Sequence, residues 1–421
     1  MLITYKRSYS ARNHVLRFLC ALMLTLGSTL LAAEPKAAPS AAVDILDLSL
    51  GTLLLPGTSE DDPASWPARS VFDDAKDRGW GSAKGAAFPH EFVFELAQPY
   101  ALSEWMVDSK AVQEDTYPGI AARKMQLSVS MESRNKGFKP VTTIELAKGG
   151  DSKSVKLPEK TTARWLKITV LSNWGNPHYT QLMETAIQGV PMGPVPKVDF
   201  TGIFGTADGP IRFQQKGDAI LGCYDYQQGQ LTGRVKGSVA TLQWRQEENK
   251  SSGTALVVLG NGGQSLGGEW YTTDGSFGGR WDGPKLKPNE GPKCRPPSDN
   301  PVATSLKSAK RAVLYGIRFA SDSHVPLPES EDSLNEVLAV LKNQNTLRLE
   351  VQGHTDSTST QAHNQALSTK RAEAVVKWLT DKGIAPVRLR GKGYGSSHAV
   401  ADNKTPQGRT LNRRVELILI E

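Results

Sequence analysis

The chain has three cysteines in 421 residues, seven histidines, and no apolar run long enough to cross a membrane as a helix. Each shortage excludes something. The most apolar stretch, Phe18 to Ala33, is 16 residues long, against the roughly 20 that a spanning helix needs. His90, His178, His324, His354, His363 and His398 form no metal-ligand spacing, and no histidine lies near Cys223 or Cys294, so no zinc centre is expected. No Ser/His/Asp or Cys/His set is legible either. No metal and no cofactor are expected.

Acidic residues are missing from residues 1–33, where Lys6, Arg7, Arg12 and Arg17 precede the apolar stretch. This is the layout of a secretory signal peptide, cleaved near Ala33. A retained anchor is the alternative. Cys20 follows Arg17, Phe18 and Leu19 and does not look like a lipoprotein cysteine. The segment holds four of the seven net positive charges, so the basic balance is partly a targeting feature and no argument for nucleic acid. In an exported chain the other two cysteines, Cys223 and Cys294, are expected to form one disulfide. Two buried thiols are the alternative.

After an Ala/Pro-rich tether at 34–42, residues 43–190 read as short alternating runs such as "HEFVFELAQPY" and "ARWLKITVLSNW". In "EFVFEL", Phe92, Phe94 and Leu96 share one face, the period-two pattern of a half-buried strand. Many such strands without amphipathic helices predict an all-β sandwich. Residues 197–284 repeat strand and Gly-rich turn and predict a small antiparallel meander or barrel, with Trp244, Trp270 and Trp281 filling its core; a ligand cavity is the alternative. Its strands are too short and too charged for an outer-membrane barrel. Residues 285–310 are Pro-rich and charged, the composition of a semi-rigid spacer.

From 311 to 421 the pattern alternates strand and helix. The run "PESEDSLNEVLAVLKNQ" puts Leu334, Val337, Leu338 and Leu341 on one helical face. A second helix is "HNQALSTKRAEAVVKWLTDKG". This alternation predicts an α+β domain with helices on one sheet. At 100° per residue, Leu367, Ala374, Val375 and Trp378 lie within about 100° of one another. Asn364 and Arg371 fall inside that arc. A guanidinium on the apolar face is costly unless it is paired. Helical side chains lean toward the N-terminus, so Arg371 would reach the loop after "LRLEVQG", where Asp356 lies. Arg371 suits a carboxylate and Asp356 an ammonium, so the cleft suits an amino-acid end. An internal Asp–Arg pair with no ligand is the alternative.

Two resemblances sharpen this. "VQGHTDSTSTQAHNQALSTKRAEAVVKWL", "KGYGSSHAVADNKTPQGRTLNRRVEL" and "IRFASDSHVPL" resemble the OmpA-like C-terminal domain, a peptidoglycan-binding family. The resemblance implies capture of the diaminopimelate of the stem peptide, Asp356 taking the ammonium and Arg371 the carboxylate, with Asn364, Thr355, Leu367 and Arg413 at the margins. Where the family usually has an acid after the phenylalanine this chain has Ala320, so Ser321, Asp322 and Ser323 are the expected rim. "WPARSVFDDAKDRGWGS", "PHEFVFELAQPYALSEWMV" and "TARWLKITVLSNWGN" resemble the discoidin, or galactose-binding-like, jelly roll. It implies a module for a sugar or an envelope protein, with Trp80, Trp174, His90 and His178 as loop or core residues and Asp73 and Asp74 as a remote calcium option. The resemblances imply a non-enzymatic wall-binding protein of the periplasm of a Gram-negative bacterium, associated with the cell wall or outer membrane. An anchored glycan-acting enzyme and a part of a motor or secretion assembly are the alternatives.

Overall fold

The computed structural model describes residues 42–420 apart from 62–64, 75–77, 295 and 297–299. The expected signal segment and nearly all of the tether lie outside the described residues. No helix among the described residues is long and apolar enough to cross a membrane.

The N-terminal region is an eight-stranded sheet with a two-stranded companion, Trp80–Gly81 with Gln181–Leu182. Its longest strand, His90–Asp108, is flanked antiparallel by Thr162–Asn173 and Glu184–Pro191. Phe92, Phe94 and Leu96 are all fully buried in one cluster with Trp105 and Leu127, as their alternation predicts. Trp80 and His90 belong to this interior, ring centroids 5.2 Å apart. Trp174 instead lies beneath the Arg123 guanidinium at 4.4 Å, and His178 is exposed.

The middle region is a nine-stranded antiparallel sheet in which the first eight strands pair each with the next, while the last, Gly283–Pro284, pairs with Ser265–Thr272. It curls until its two ends meet. Phe204 bridges Lys285, and the Leu286 N–H donates to the Ile203 carbonyl at 2.7 Å. Closure removes the free edges that a sheet would otherwise present. Cys223 and Cys294 are bonded, Cα atoms 6.1 Å apart, and the Cys294 N–H donates to Asp225 Oδ1 at 3.1 Å. The bridge closes a loop with a sequence separation of 71, worth about 4 kcal/mol in the loop-entropy account. Reduction should therefore lower the melting temperature, and the unreduced, denatured protein should label at neither Cys223 nor Cys294. Two labelled cysteines would contradict the bridge.

Within 285–310, read as spacer, Pro301–Ala309 forms a helix. Asn300 Oδ1 accepts from the N–H groups of Val302 and Ala303 at 2.8 and 3.2 Å, and proline takes the first helical position, where its missing N–H costs nothing. Val302 and Leu306 are buried with Leu314 and Leu338. The segment is thus part of the C-terminal core instead of a free tether.

That core lies between a mixed sheet and two longer helices. The sheet order is Arg311–Leu314, Val415–Ile420, Arg348–Gly353, Leu389–Gly393, the last two parallel. Glu331–Asn343 buries Leu334, Val337, Leu338 and Leu341, the face its periodicity predicts.

A fourth cluster joins all three regions. Leu48 and Leu53 from the first meet Leu256, Val258 and Tyr271 from the barrel and Tyr315, Val400 and Leu411 from the last. Arg78 pairs with Asp402 at 3.1 Å and Arg409 with Asp74 at 3.1 Å across the same boundary. The C-terminal region is therefore docked against the other two.

Candidate functional site

The site is built on the helix Gln361–Asp381. Thr360 caps it, its hydroxyl accepting from the His363 N–H at 3.3 Å, and Gly383, at φ 93°, takes the left-handed turn after its end. Its buried positions are Asn364, Ser368, Arg371, Ala372, Val375 and Leu379, with Leu367 and Trp378 only half-buried. The buried face is turned about 60° from the arc of Leu367, Ala374, Val375 and Trp378 at the helical 100° per residue. The cause is close packing on small residues. A Cβ on Gly353 would meet the Ser368 carbonyl at 2.2 Å, and one on Gly393 would meet the Thr369 N at 2.3 Å. Such an approach has no room for an indole.

Arg371 stays on the buried side at the helix edge. Its Nε donates to the Ser323 carbonyl at 2.8 Å, one terminal nitrogen donates to Ala320 O at 3.4 Å, and Phe319 lies under the guanidinium at 4.9 Å. No Asp or Glu among the described residues is an ion-pair partner of Arg371. Burial, then the Arg413 charge, pulls its pKa down, opposed by Asp356 and Asp322. It thus keeps a partly desolvated charge whose hydrogen bonds among the described residues go to two backbone carbonyls. An incoming carboxylate would complete it.

Asp356 is buried at the start of the loop. Its Oδ1 accepts from the Thr358 N–H at 3.0 Å and hydroxyl at 2.6 Å, and Oδ2 accepts from Arg413 at 2.7 Å. Burial pushes its pKa up, but the bonds from Thr358 and Arg413 outweigh that and hold it below the usual value. Asn364 ties the loop to the helix, donating to the carbonyls of Asp356 and Ser359 at 3.1 and 3.0 Å. Thr355 is buried with its N–H on the Gly395 carbonyl. In the rim, Ser321 is exposed and Asp322, at φ 55°, pairs with His363 at 2.8 Å. Ser323 offers only its carbonyl to Arg371.

Of these residues Arg371, Arg413 and Phe319 line a cleft of about 350 Å³ whose lining also includes Arg414, Arg318, Lys236 and Glu329, whereas Asp356, Asn364, Thr355, Leu367, Ser321, Asp322 and Ser323 are not part of its wall. Lys236 comes from the barrel, and Ser49 from the first region also lines it. The cations outnumber the acids, so the cleft favours an anionic group. Sequence reasoning missed Lys236, Thr358 and Phe319. Thr358 carried a signal, since an Asp two residues before a Thr is a turn that hydrogen-bonds itself.

Residues 318–413 match the model of the OmpA family, and residues 57–185 match that of the F5/8 type C domain. These regions are accordingly OmpA-like and discoidin-like. Outer membrane porin F of Pseudomonas fluorescens is 41% identical over 100 residues, 24% of this chain and 31% of that protein. Peptidoglycan-binding protein ArfA of Mycobacterium tuberculosis is 38% identical over 125 residues, 30% of this chain and 38% of that protein. The chain thus spans about a third of the length of these curated relatives. The solved CBM32-5 of Clostridium perfringens, in complex with GalNAc-β-1,3-galactose, is 15% identical, covering 34% of this chain and 99% of its own, at a TM-score of 0.28.

Proposed function

We propose that this is an exported, non-enzymatic protein of the periplasm that grips peptidoglycan through its OmpA-like region while its discoidin-like region holds a second ligand, a glycan or an envelope protein. Its modules are residues 43–190, 197–284 and 311–421, the last completed by the helix Pro301–Ala309. The observation that carries the reading is Arg371: a partly desolvated guanidinium with no carboxylate partner among the described residues, in a cationic cleft whose Arg413 holds Asp356. The ligand of this cleft is the amino-acid end of diaminopimelate, its carboxylate on Arg371 and its ammonium on Asp356, which shares its Oδ2 with Arg413. Similarity to a relative named as peptidoglycan-binding supports the same reading.

The test compares walls that differ at one residue of the stem. The full chain should sediment with purified diaminopimelate-type peptidoglycan and be released by free diaminopimelate, but should not sediment with lysine-type peptidoglycan. Equal sedimentation with both would show that the cleft does not read the second amino-acid end.

Residues 300–421 alone should bind as the full chain does, because the core is complete once Val302 and Leu306 are included. A fragment starting at residue 305 lacks Val302 and the Asn300 cap, and should melt earlier. Binding by the full chain alone would place part of the wall contact on Lys236 or Ser49.

A further inference from the structure

The middle barrel carries a cavity of about 370 Å³ at one end that wall binding leaves unused. Tyr224, Trp244, Trp270 and Trp281 wall it, and Asp208 and Gln246 supply polar groups. Three of these rings are set by one device repeated on successive hairpins. Tyr224 stands opposite Gly229, Trp244 opposite Gly253 and Trp270 opposite Gly279. A Cβ on those glycines would come within 2.1 Å of the Tyr224 ring, 2.7 Å of the Trp244 ring and 2.9 Å of Trp270 Nε1. Each ring therefore lies against bare backbone, the arrangement by which aromatics cover strand glycines.

The rings are further fixed by their polar atoms. Trp244 Nε1 donates to the Tyr271 carbonyl at 3.1 Å, and Trp281 Nε1 donates to Asp208 Oδ2 at 3.2 Å. Trp244 and Trp270 meet edge to face at 86°, while Trp270 and Trp281 are within 27° of parallel. Such rings lose little freedom when a ligand arrives. The cavity shares Ala207, Asp208 and Trp270 with an adjoining hollow of about 500 Å³, which runs toward Glu60 and Arg69 of the discoidin-like region.

We propose that the mouth of this barrel binds a carbohydrate, one pyranose ring seated among the tryptophans and the next sugar in the adjoining hollow. No basic residue among the described residues lines the aromatic cavity, so none of them there neutralises an anion. A sugar has an apolar face for the rings and a belt of hydroxyls that donate and accept. The belt meets Asp208, which accepts, and Gln246 and the Tyr224 hydroxyl, which do both. Burial pushes Tyr224 up to about 12, so it remains a neutral donor. Gln246 Nε2 donates to the Tyr224 hydroxyl at 3.4 Å, so an alkylammonium would satisfy the rings and Asp208 but leave the hydroxyl donor without an acceptor.

The full chain is titrated with chitotriose, cellotriose, lactose, maltotriose and choline, and tryptophan fluorescence is followed. At least one sugar should give a saturable change, weakened at least tenfold in Trp270→Ala and in the exposed-rim variants Asp208→Asn and Tyr226→Ala. Tyr226 also lines the cavity and is 63% exposed, so its variant should melt with the wild type, and Arg371→Ala should bind sugar normally. Three outcomes overturn the proposal: no sugar saturates, choline saturates in their place, or sugar binding survives in Tyr226→Ala and Asp208→Asn and so belongs to another module.

Discussion

Replacing Arg371 with alanine should abolish wall binding while leaving the domain folded. Losing one side of a buried charge pair costs roughly 2 to 5 kcal/mol of binding, so the affinity should fall by more than tenfold. Asp356→Ala should do the same from the other end of the ligand. The stability costs differ from those of an internal ion pair. Arg371 and Asp356 are not bonded to each other: Arg371 holds the carbonyls of Ser323 and Ala320, and Asp356 holds Arg413. Loss of Asp356 leaves Arg413 with a side chain 47% exposed, free to turn to water. Neither variant strands a buried charge, so neither should pay the roughly 3 to 5 kcal/mol that a broken buried pair costs. Arg371→Lys keeps the charge but not the two-pronged donor set, and should bind at an intermediate level. Free diaminopimelate should raise the melting temperature of the wild type only. Variants that melt early, together with a wild type indifferent to diaminopimelate, would assign both residues to structure alone.

How far this was legible depends on what each element packs against. The apolar face of Glu331–Asn343 was readable because large side chains at helical spacing do the packing. The second helix was readable as a helix, but its rotation was not, because Ser368 and Ala372 against glycines carry little hydrophobic signal. The docking of the three regions did leave a trace. In "TALVVLG" apolar residues run without alternation, and Ala255, Leu256, Val257, Val258 and Leu259 are all buried. Alternate residues fill the barrel while Leu256 and Val258 enter the shared cluster. A continuous run signals a strand covered on both faces, whereas a free-standing module would have one face wet. The short helix Pro406–Asn412 inside the polar loop was hidden for the opposite reason. Its buried Asn412 accepts from the N–H groups of Val400 and Ala401 at 2.7 and 3.2 Å, so a polar side chain serves as its interior.

The same loop leads into the last strand, where Glu416 should prove the most sensitive structural residue of the domain. Arg414 and Glu416 are both buried, two residues apart on one face, with Arg414 Nε donating to Glu416 Oε1 at 2.7 Å. Arg311 Nε donates to Oε2 at 2.6 Å from the neighbouring strand. Glu416→Gln removes the charge that two guanidinium groups share. The cost should approach the roughly 3 to 5 kcal/mol of a broken buried pair. Acid should mimic it. Burial raises the Glu416 pKa, but Arg414 and Arg311 overcome that and bring it to about 2. A carboxyl depressed in the folded state adds stability above its unfolded pKa, and loses it as pH falls toward the folded one. For Glu416 that window runs from about 4.5 to about 2. His354, lowered to about 3 by burial and then by Arg414, acts in the same direction. Below pH 6.5 the unfolded chain takes up a proton that the folded chain refuses, so stability declines from there to about 3. Asp44 and Glu184, which burial raises to about 6 and about 9, act the other way as pH falls, so the measurement that isolates Glu416 is the difference between wild type and variant. The gap between wild type and Glu416→Gln should close only below 4.5, where Glu416 itself is protonated. Arg413 and Arg414 join the short helix to the last strand, and Arg413 holds Asp356, so loosening Arg414 through Glu416→Gln should weaken wall binding as well. Equal melting temperatures at pH 7 would show that the interior of this domain does not rest on that carboxylate.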